Sequence, residues 1–271
     1  MLKSGKIYIP PVVKNLLIIN FLLFFGPYAL QTIGFDLKEK LALYYFKSEY
    51  FRPYQYITHM FMHGSFKHIL FNMFGLWMFG SAVEQALGGK KFLIYFFLTG
   101  LGAAFLHTLV LHYRISNIQE AFVAYQNTPS PEYFISFIQE NFSQYYDVIR
   151  QSPNYINLVN TFSAHPENSQ LIGNSISLIN SIIEEIINIP TVGASGAIFG
   201  IVLAFGMIYP NTKMFFILIP IPIKAKYFVM IYGIVELYDG VMNQPGDNVA
   251  HFAHLGGMLF GFLLLRYWKT K

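Results

Sequence analysis

Apolar residues gather along the chain into six stretches, separated by polar or proline-bearing segments, and each stretch reads as one helix. Crossing a hydrocarbon layer of about 30 Å takes about 20 helical residues. The stretches run from Val13 to Ile33, Phe66 to Leu87, Phe92 to His112, Gly193 to Tyr209, Tyr227 to Tyr238 with its flanks, and Val249 to Tyr267. The segment from Phe215 to Ile223 is equally apolar, but it holds Pro220 and Pro222, which cannot both continue a helix without loss of backbone hydrogen bonds. It is expected to be a loop or a short interfacial piece. The pattern therefore predicts an all-α, polytopic membrane protein with six transmembrane helices.

One region breaks the pattern. From Tyr113 to Pro190 the chain carries ten Asn and six Gln, but only Arg114 and Arg150 as fixed cations. Apolar residues still recur there at helical spacing. Ile176, Ile179, Ile183 and Ile186 would line one face, and Phe134, Phe137, Ile138, Tyr145 and Ile149 another. Ser130-Pro131-Glu132 reads as a helix start, with a capping serine and a proline in the first turn. The expectation is a helical extramembrane insertion, residues 113–190, resting on the bundle or on the membrane surface. It would interrupt a single membrane domain made of residues 1–112 and 191–271.

Composition agrees with lipid as the main solvent. The chain is 54% hydrophobic and 12% charged, whereas soluble domains carry about 25% charged residues. A net charge of +4 raises the question of nucleic acid, but the basic residues sort by topology instead and argue against it. Lys3, Lys6, Lys14, Lys90, Lys91, Lys213, Lys224, Lys226, Arg266, Lys269 and Lys271 fall on one side, with Glu84 almost the only acid among them. By the positive-inside rule that side is cytoplasmic. Both termini then lie there, as an even number of spans requires. The expected location is a bacterial inner (cell) membrane, crossed several times. The start, Met1-Leu2-Lys3-Ser4-Gly5-Lys6, has no small-residue cleavage pattern after it, so the first span is expected to be retained. With no cysteine, disulfides and thiolate chemistry are excluded.

Polar groups inside spans are costly, and three clusters call for a role. Gly193-Ala194-Ser195-Gly196 opens the fourth span. The Ser195 hydroxyl would lie by a first helical turn whose N–H groups lack intrahelical partners and can stabilise a developing negative charge. Capping or close helix packing is the alternative role for such a serine. Ala253-His254-Leu255-Gly256-Gly257, with Gly261, opens the sixth span. His254, Gly257 and Gly261 share a face, and Gly196 and Gly200 form a small-residue face on the fourth span. Two such faces let helix axes approach closely, which would bring His254 within reach of the Ser195 proton. A histidine satisfied by a backbone carbonyl is the alternative. The third cluster runs from His63 to Met73 into the second span, with His68 and Asn72 four residues apart on one face. Their donors would point at an oxyanion above Ser195, or else bond between helices.

The order of these motifs, HxxxxHxxxN from His63, GASG around Ser195 and AHxxGxxxG from Ala253, resembles that of the rhomboid family of intramembrane serine proteases. The resemblance covers the six-span core and leaves out the insertion. It implies a rhomboid-like bundle in which Ser195 is the nucleophile and His254 the general base, without a third acidic member. His68, Asn72 and the Ser195 backbone N–H would form the oxyanion hole, with His63, Gly193, Gly196, Phe199, Gly257 and Gly261 in support. It also implies substrates that are single-span membrane proteins, unwound near the cut beside a small residue, and no metal or other cofactor. The sequence departs from the family pattern in three places. Phe199 stands where some members have a tyrosine, Phe51-Arg52-Pro53-Tyr54 replaces a first-loop tryptophan–arginine pair, and the insertion is atypical.

Two rivals carry different expectations. A metal-dependent membrane enzyme would draw on the eight histidines, with His59 and His63 or His251 and His254 sharing faces and Asp247 nearby, yet no HExxH supplies a glutamate base. A non-proteolytic rhomboid-like protein would bind membrane clients, but such members typically lack the serine or the histidine, and both are present. A channel or transporter would show internal repeats or several midspan ionisable groups. Glu236, Asp239 and Asp247, around the turn Gln244-Pro245-Gly246-Asp247, are expected in turn and surface roles. His107, His112 and His165 are expected to be structural or surface residues, and the loop before the sixth span to be a mobile lid.

Overall fold

A computed structural model of the protein describes residues 8–31, 36–214, 222–242 and 249–269. In chain order its elements are α1 (Pro11–Gln31), α2 (Leu37–Leu41) and α3 (Gln55–Thr58), which runs into a 3-10 turn (His59–Phe61). Next come α4 (Phe66–Gly75), a π-helical turn (Leu76–Gly80), α5 (Ser81–Leu87) and α6 (Gly89–Asn127). The insertion holds α7 (Pro131–Asn141), α8 (Tyr146–Ile149), α9 (Pro153–Ala164) and α10 (Ser169–Ile187). After them follow α11 (Ser195–Ile208), the strands β1 (Lys213–Met214) and β2 (Ile223–Lys224), α12 (Ala225–Met242) and α13 (His251–Lys269). The six spans are α1, the continuous α4–π–α5 rod, α6, α11, α12 and α13.

The outer surface of this bundle is apolar. Leu22, Phe71, Phe105, Ile234 and Val241 are each more than half exposed. Water would not tolerate so broad an apolar surface, whereas lipid tails do. Among the described residues α6 alone is both long and apolar enough to cross a membrane by those two criteria, with Pro11–Gly26 and Ser195–Ile208 apolar but shorter. At 1.5 Å per residue the 14 residues of α11 reach about 21 Å, less than the hydrocarbon thickness of roughly 30 Å. Ser195 is the first residue of this short helix.

Local chemistry explains several boundaries. The buried Glu84 carboxylate accepts from Val12 N at 3.0 Å and Val13 N at 2.7 Å, so an acid otherwise out of place caps the positive end of α1. Ser65 accepts from His68 N at 3.1 Å and opens α4. Ser130 accepts from Tyr133 N at 3.1 Å with Pro131 in the first turn, which is the helix start read from the sequence. Strands β1 and β2 pair antiparallel, Lys213 opposite Lys224, and frame the proline-bearing segment expected as a loop; residues 215–221 of that segment lie outside the described residues. So do Ile33 and most of the expected lid, residues 243–248.

The third span is longer than its apolar pattern. α6 has 39 residues, about 58 Å, and passes Tyr113 without a break. Arg114, Asn117 and Glu120 end the apolar run, but none of them breaks a helix, so it continues as the first member of the insertion. The insertion carries a core of its own, built on Tyr125, Phe134, Phe137, Ile138, Phe162, Ile179 and Ile183, with Ile149, Ile176 and Ile186 packed against it. Tyr145 departs from the expected face. α7 ends at Asn141, which breaks the helical spacing, and Tyr145 lines a cavity of the membrane domain instead.

The centre of the bundle is held by glycine. α6, α11 and α13 meet so closely that a Cβ at Gly257 would overlap the carbonyl oxygen of Gly196, and one at Gly200 would lie 2.9 Å from the Gly257 carbonyl. Tyr95 of α6 donates to Gly200 O at 2.8 Å across the same contact. The small-residue faces read from the sequence thus face each other, and contact between backbones fixes the depth of α11 against α13.

Candidate active site

The stretch leading into α11 is anchored on three sides. Leu43 and Thr191 exchange backbone hydrogen bonds at 2.9 and 2.8 Å, the Thr191 hydroxyl meets His107 Nε2 at 3.0 Å, and Gly193 N donates to His59 O at 2.9 Å. Gly193 then takes a φ of +125°, which side-chain-bearing residues rarely adopt, and turns the chain into the helix. The first turn of α11 has no side-chain cap, so its N–H groups remain available beside the Ser195 hydroxyl. His107 thus anchors this stretch and also lines the cavity beside it. His112 bonds to the Tyr45 hydroxyl at 2.8 Å, and His165 is exposed.

The structure brings Ser195 and His254 together. Their Oγ and Nε2 atoms lie 2.9 Å apart. Phe199, one turn after the serine, stacks on the imidazole with centroids 4.0 Å apart and planes 6° from parallel. The ring of this aromatic position does the packing without a hydroxyl. The other imidazole nitrogen, His254 Nδ1, meets Glu236 Oε2 at 2.8 Å, and the same oxygen meets His251 Nδ1 at 2.8 Å.

Glu236 corrects the sequence reading. The sequence suggests a turn or surface role, yet Glu236 is 9% exposed, inside α12 and well before that helix ends. Its signal was an acid inside an apolar span, which is costly unless partnered. The proximity of Asp239 and the turn residues made it look like part of a loop. From the sequence His251 suggests only a possible metal ligand with His254, and Asp247, the nearby acid in that reading, lies outside the described residues. The donor atoms of Glu236, His251 and His254 lie within 4.8 Å of one another and could hold a cation. A cation on Nδ1 of His254 would leave the proton on Nε2, where it could not accept from Ser195. His59, the other metal candidate, instead uses Nδ1 on Gln55 O at 2.9 Å.

Opposite the serine stands α4. His68 Nε2 and Ser195 Oγ lie 2.7 and 3.7 Å from the position a Gly193 Cβ would take, so both face one spot that only glycine leaves open. Asn72 is buried and lines the same cavity, with one amide proton on His68 O at 2.9 Å. Among the described residues His68 Nδ1 has only a long 3.5 Å contact, with Gly64 N. His63 packs edge-to-face on the His68 ring, centroids 5.1 Å apart. Neither His63 nitrogen makes a well-formed hydrogen bond among the described residues, although the Phe61 carbonyl is near enough to act on its charge. Burial first, and the neighbouring His68 second, push His63 down to about 4.

The cavity between these walls has a volume of about 750 Å³. Its lining adds a contribution that the sequence did not suggest: Gln144, Tyr145 and Ile186 reach it from the insertion. Arg114 lines it too and donates to Gly240 O at 2.9 Å, tying the insertion's first helix to the end of α12.

Known proteins resemble parts of this chain in sequence. The Rhomboid domain family matches residues 50–122 and 158–269, leaving a gap inside the insertion. An uncharacterized mitochondrial rhomboid protein of Schizosaccharomyces pombe is 26% identical over 221 residues, which cover 79% of this chain and 51% of that protein. The rhomboid protease GlpG of Salmonella newport is 48% identical over 44 residues, 16% of each chain, and that of Salmonella enteritidis matches to the same extent. The chain thus spans about half the length of the first relative and a smaller part of the others. With the family matched over most of its length and the six-span helical bundle in place, the chain is an integral membrane protein that belongs to the rhomboid family.

Proposed function

We propose that the protein is an intramembrane serine endopeptidase that cuts single-span membrane proteins in or beside the bilayer. The observation that carries this reading is the 2.9 Å contact between Ser195 Oγ and His254 Nε2 at an uncapped helix start inside a cavity. In the proposed reaction the Ser195 oxygen bonds to the substrate carbonyl carbon as its proton passes to Nε2, and the carbonyl electron pair moves onto oxygen. That oxyanion is held by the Ser195 N–H, His68 and Asn72. His254 then gives the proton to the leaving amine, and water hydrolyses the acyl-enzyme by the same steps in reverse.

The cavity is large enough for a few residues of extended chain, which fits a substrate helix that has unwound locally. Segregation of the basic residues supports a cavity open to the non-cytoplasmic side, with both termini cytoplasmic. The test is cleavage of a single-span reporter in liposomes by wild type, Ser195→Ala and His254→Ala, together with fluorophosphonate labelling. Wild type should cut and label, and both variants should fall to background in cleavage. Equal cleavage by all three would overturn the reading, and a chain that binds the reporter without cutting or labelling would be a client-binding member.

A further inference from the structure

Among the described residues Glu236 is the charged side chain nearest the site that the proposed mechanism leaves unused. Its position is unfavourable without a purpose or a partner: a carboxylate 9% exposed inside a membrane helix. The contact made by the reacting base is specific. His254 Nδ1 stands 2.8 Å from Oε2, and Nε2 of the same ring stands 2.9 Å from Ser195 Oγ. An ionised carboxylate only accepts, so Nδ1 must carry the proton, which leaves the lone pair on Nε2, aimed at the serine. The ring is then held at both nitrogens and across its face by Phe199.

The helix contact that allows this reach is also built for it. Gly240, one turn beyond Glu236, lets α12 close on α13, where a Cβ would lie 3.1 Å from both His251 Cβ and the Phe252 ring. Arg114 holds the same turn through the Gly240 carbonyl. We infer that Glu236 is the third member of the site, a positioning residue that fixes the tautomer of His254 and stabilises the imidazolium formed when Ser195 is deprotonated. Its carboxylate remains ionised throughout: the proton shuttles between Ser195 Oγ, Nε2 and the leaving group, and no proton passes to Glu236. His251, on the same oxygen, holds the carboxylate in place. This inference rests on the Ser195–His254 reading and departs from the two-residue site that the family resemblance implies.

The experiment uses the full chain in liposomes and compares wild type, Ser195→Ala, Glu236→Gln and Glu236→Asp. Gln keeps the shape and can accept one Nδ1–H, but it carries no charge and can present its amide to the ring. The expected result is a kcat lower by about 10²–10⁴ with KM within roughly threefold, the pattern of a lost transition-state interaction. Asp, which restores the charge one methylene short, should regain part of kcat. In case the Gln variant folds poorly, ¹⁵N-histidine NMR of the unmodified chain reads the tautomer directly and should find His254 protonated on Nδ1. Wild-type kcat in Glu236→Gln, or a His254 protonated on Nε2 alone, would overturn the inference while leaving the dyad intact, provided that Ser195→Ala remains inactive. A wild type that neither cuts nor labels would instead sink the underlying reading and the inference with it.

Discussion

On the wall formed by α11, α12 and α13, both ring nitrogens of His254 are engaged, at 2.9 and 2.8 Å, and its face is covered by Phe199. On the α4 wall the polar groups are held more loosely. His68 has one long 3.5 Å contact, Asn72 spends one amide proton on its own helix and keeps the other, and His63 has no well-formed hydrogen bond among the described residues. The difference matches what each wall would meet. A base must be aimed before reaction, so its partners are already in place. Donors for an oxyanion have no full partner until that charge develops, and donors satisfied by the protein would have nothing left to give.

The sharpest way to break this comparison is to remove a donor from the looser wall. Asn72→Ala should lower kcat by about 10²–10³ and leave KM nearly unchanged. His68→Ala should do the same, and the double variant should lose less than the product of the two, because both serve one charge. Single-turnover kinetics on the reporter would measure this. If Asn72→Ala raised KM and spared kcat, the α4 wall would bind substrate in its ground state, and the contrast between the walls would disappear.

Much of this geometry was legible in the sequence because it is local or repeats on one helix. The four longer apolar runs needed only their length to be read, whereas those at 193–209 and 227–238 fall short of about 20 residues. Gly196, Gly200, Gly257 and Gly261 needed only spacing to imply two faces that close on each other. The serine and histidine could be paired because each opens a span on the same side. What stayed hidden depends on which helices become neighbours. Glu236 and His254 are 18 residues apart on antiparallel helices, a relation that no periodicity along one helix encodes. The acid was visible within an apolar span, but the adjoining Asp239 and turn residues pulled the reading toward a loop. Hydropathy likewise ends the third span at His112, since it registers the change of solvent and not the continuity of backbone hydrogen bonds. That Tyr145 and Ile186 of the insertion reach the cavity follows from tertiary packing alone.

A smaller effect tests the tighter wall. Phe199→Leu removes a ring that lies nearly parallel to the imidazole and packs on Tyr232, centroids 5.9 Å apart. An aromatic pair contributes about 0.5–1.5 kcal/mol beyond its area, so the expected loss in kcat is about threefold to tenfold. Phe199→Tyr keeps the stack and should remain near wild type in the same assay. An unchanged rate for Leu would mean that Glu236 and Ser195 suffice to hold the ring.

The smallest effect concerns His63. It is buried with its nitrogens poorly partnered, an arrangement that costs about 1–3 kcal/mol for a polar group in the interior. Phenylalanine fills a similar volume and can keep the edge-to-face contact with His68. His63→Phe should therefore unfold in detergent at the same or a slightly higher temperature, with stability raised by up to about 1 kcal/mol at neutral pH. Acid sharpens the test. His63 is held near 4 in the folded chain against 6.5 unfolded, so its neutral form supports folding above pH 6.5, and that support drains away as pH falls toward 4. The variant should lose that part of the acid sensitivity, while His59, also pushed down to about 4 by burial, keeps its own share. Cleavage should change little if His63 only supports His68 by shape. A variant that folds well but loses kcat as Asn72→Ala does would mean that the His63 nitrogens act on the oxyanion through His68, which would place a second layer of donors behind the looser wall.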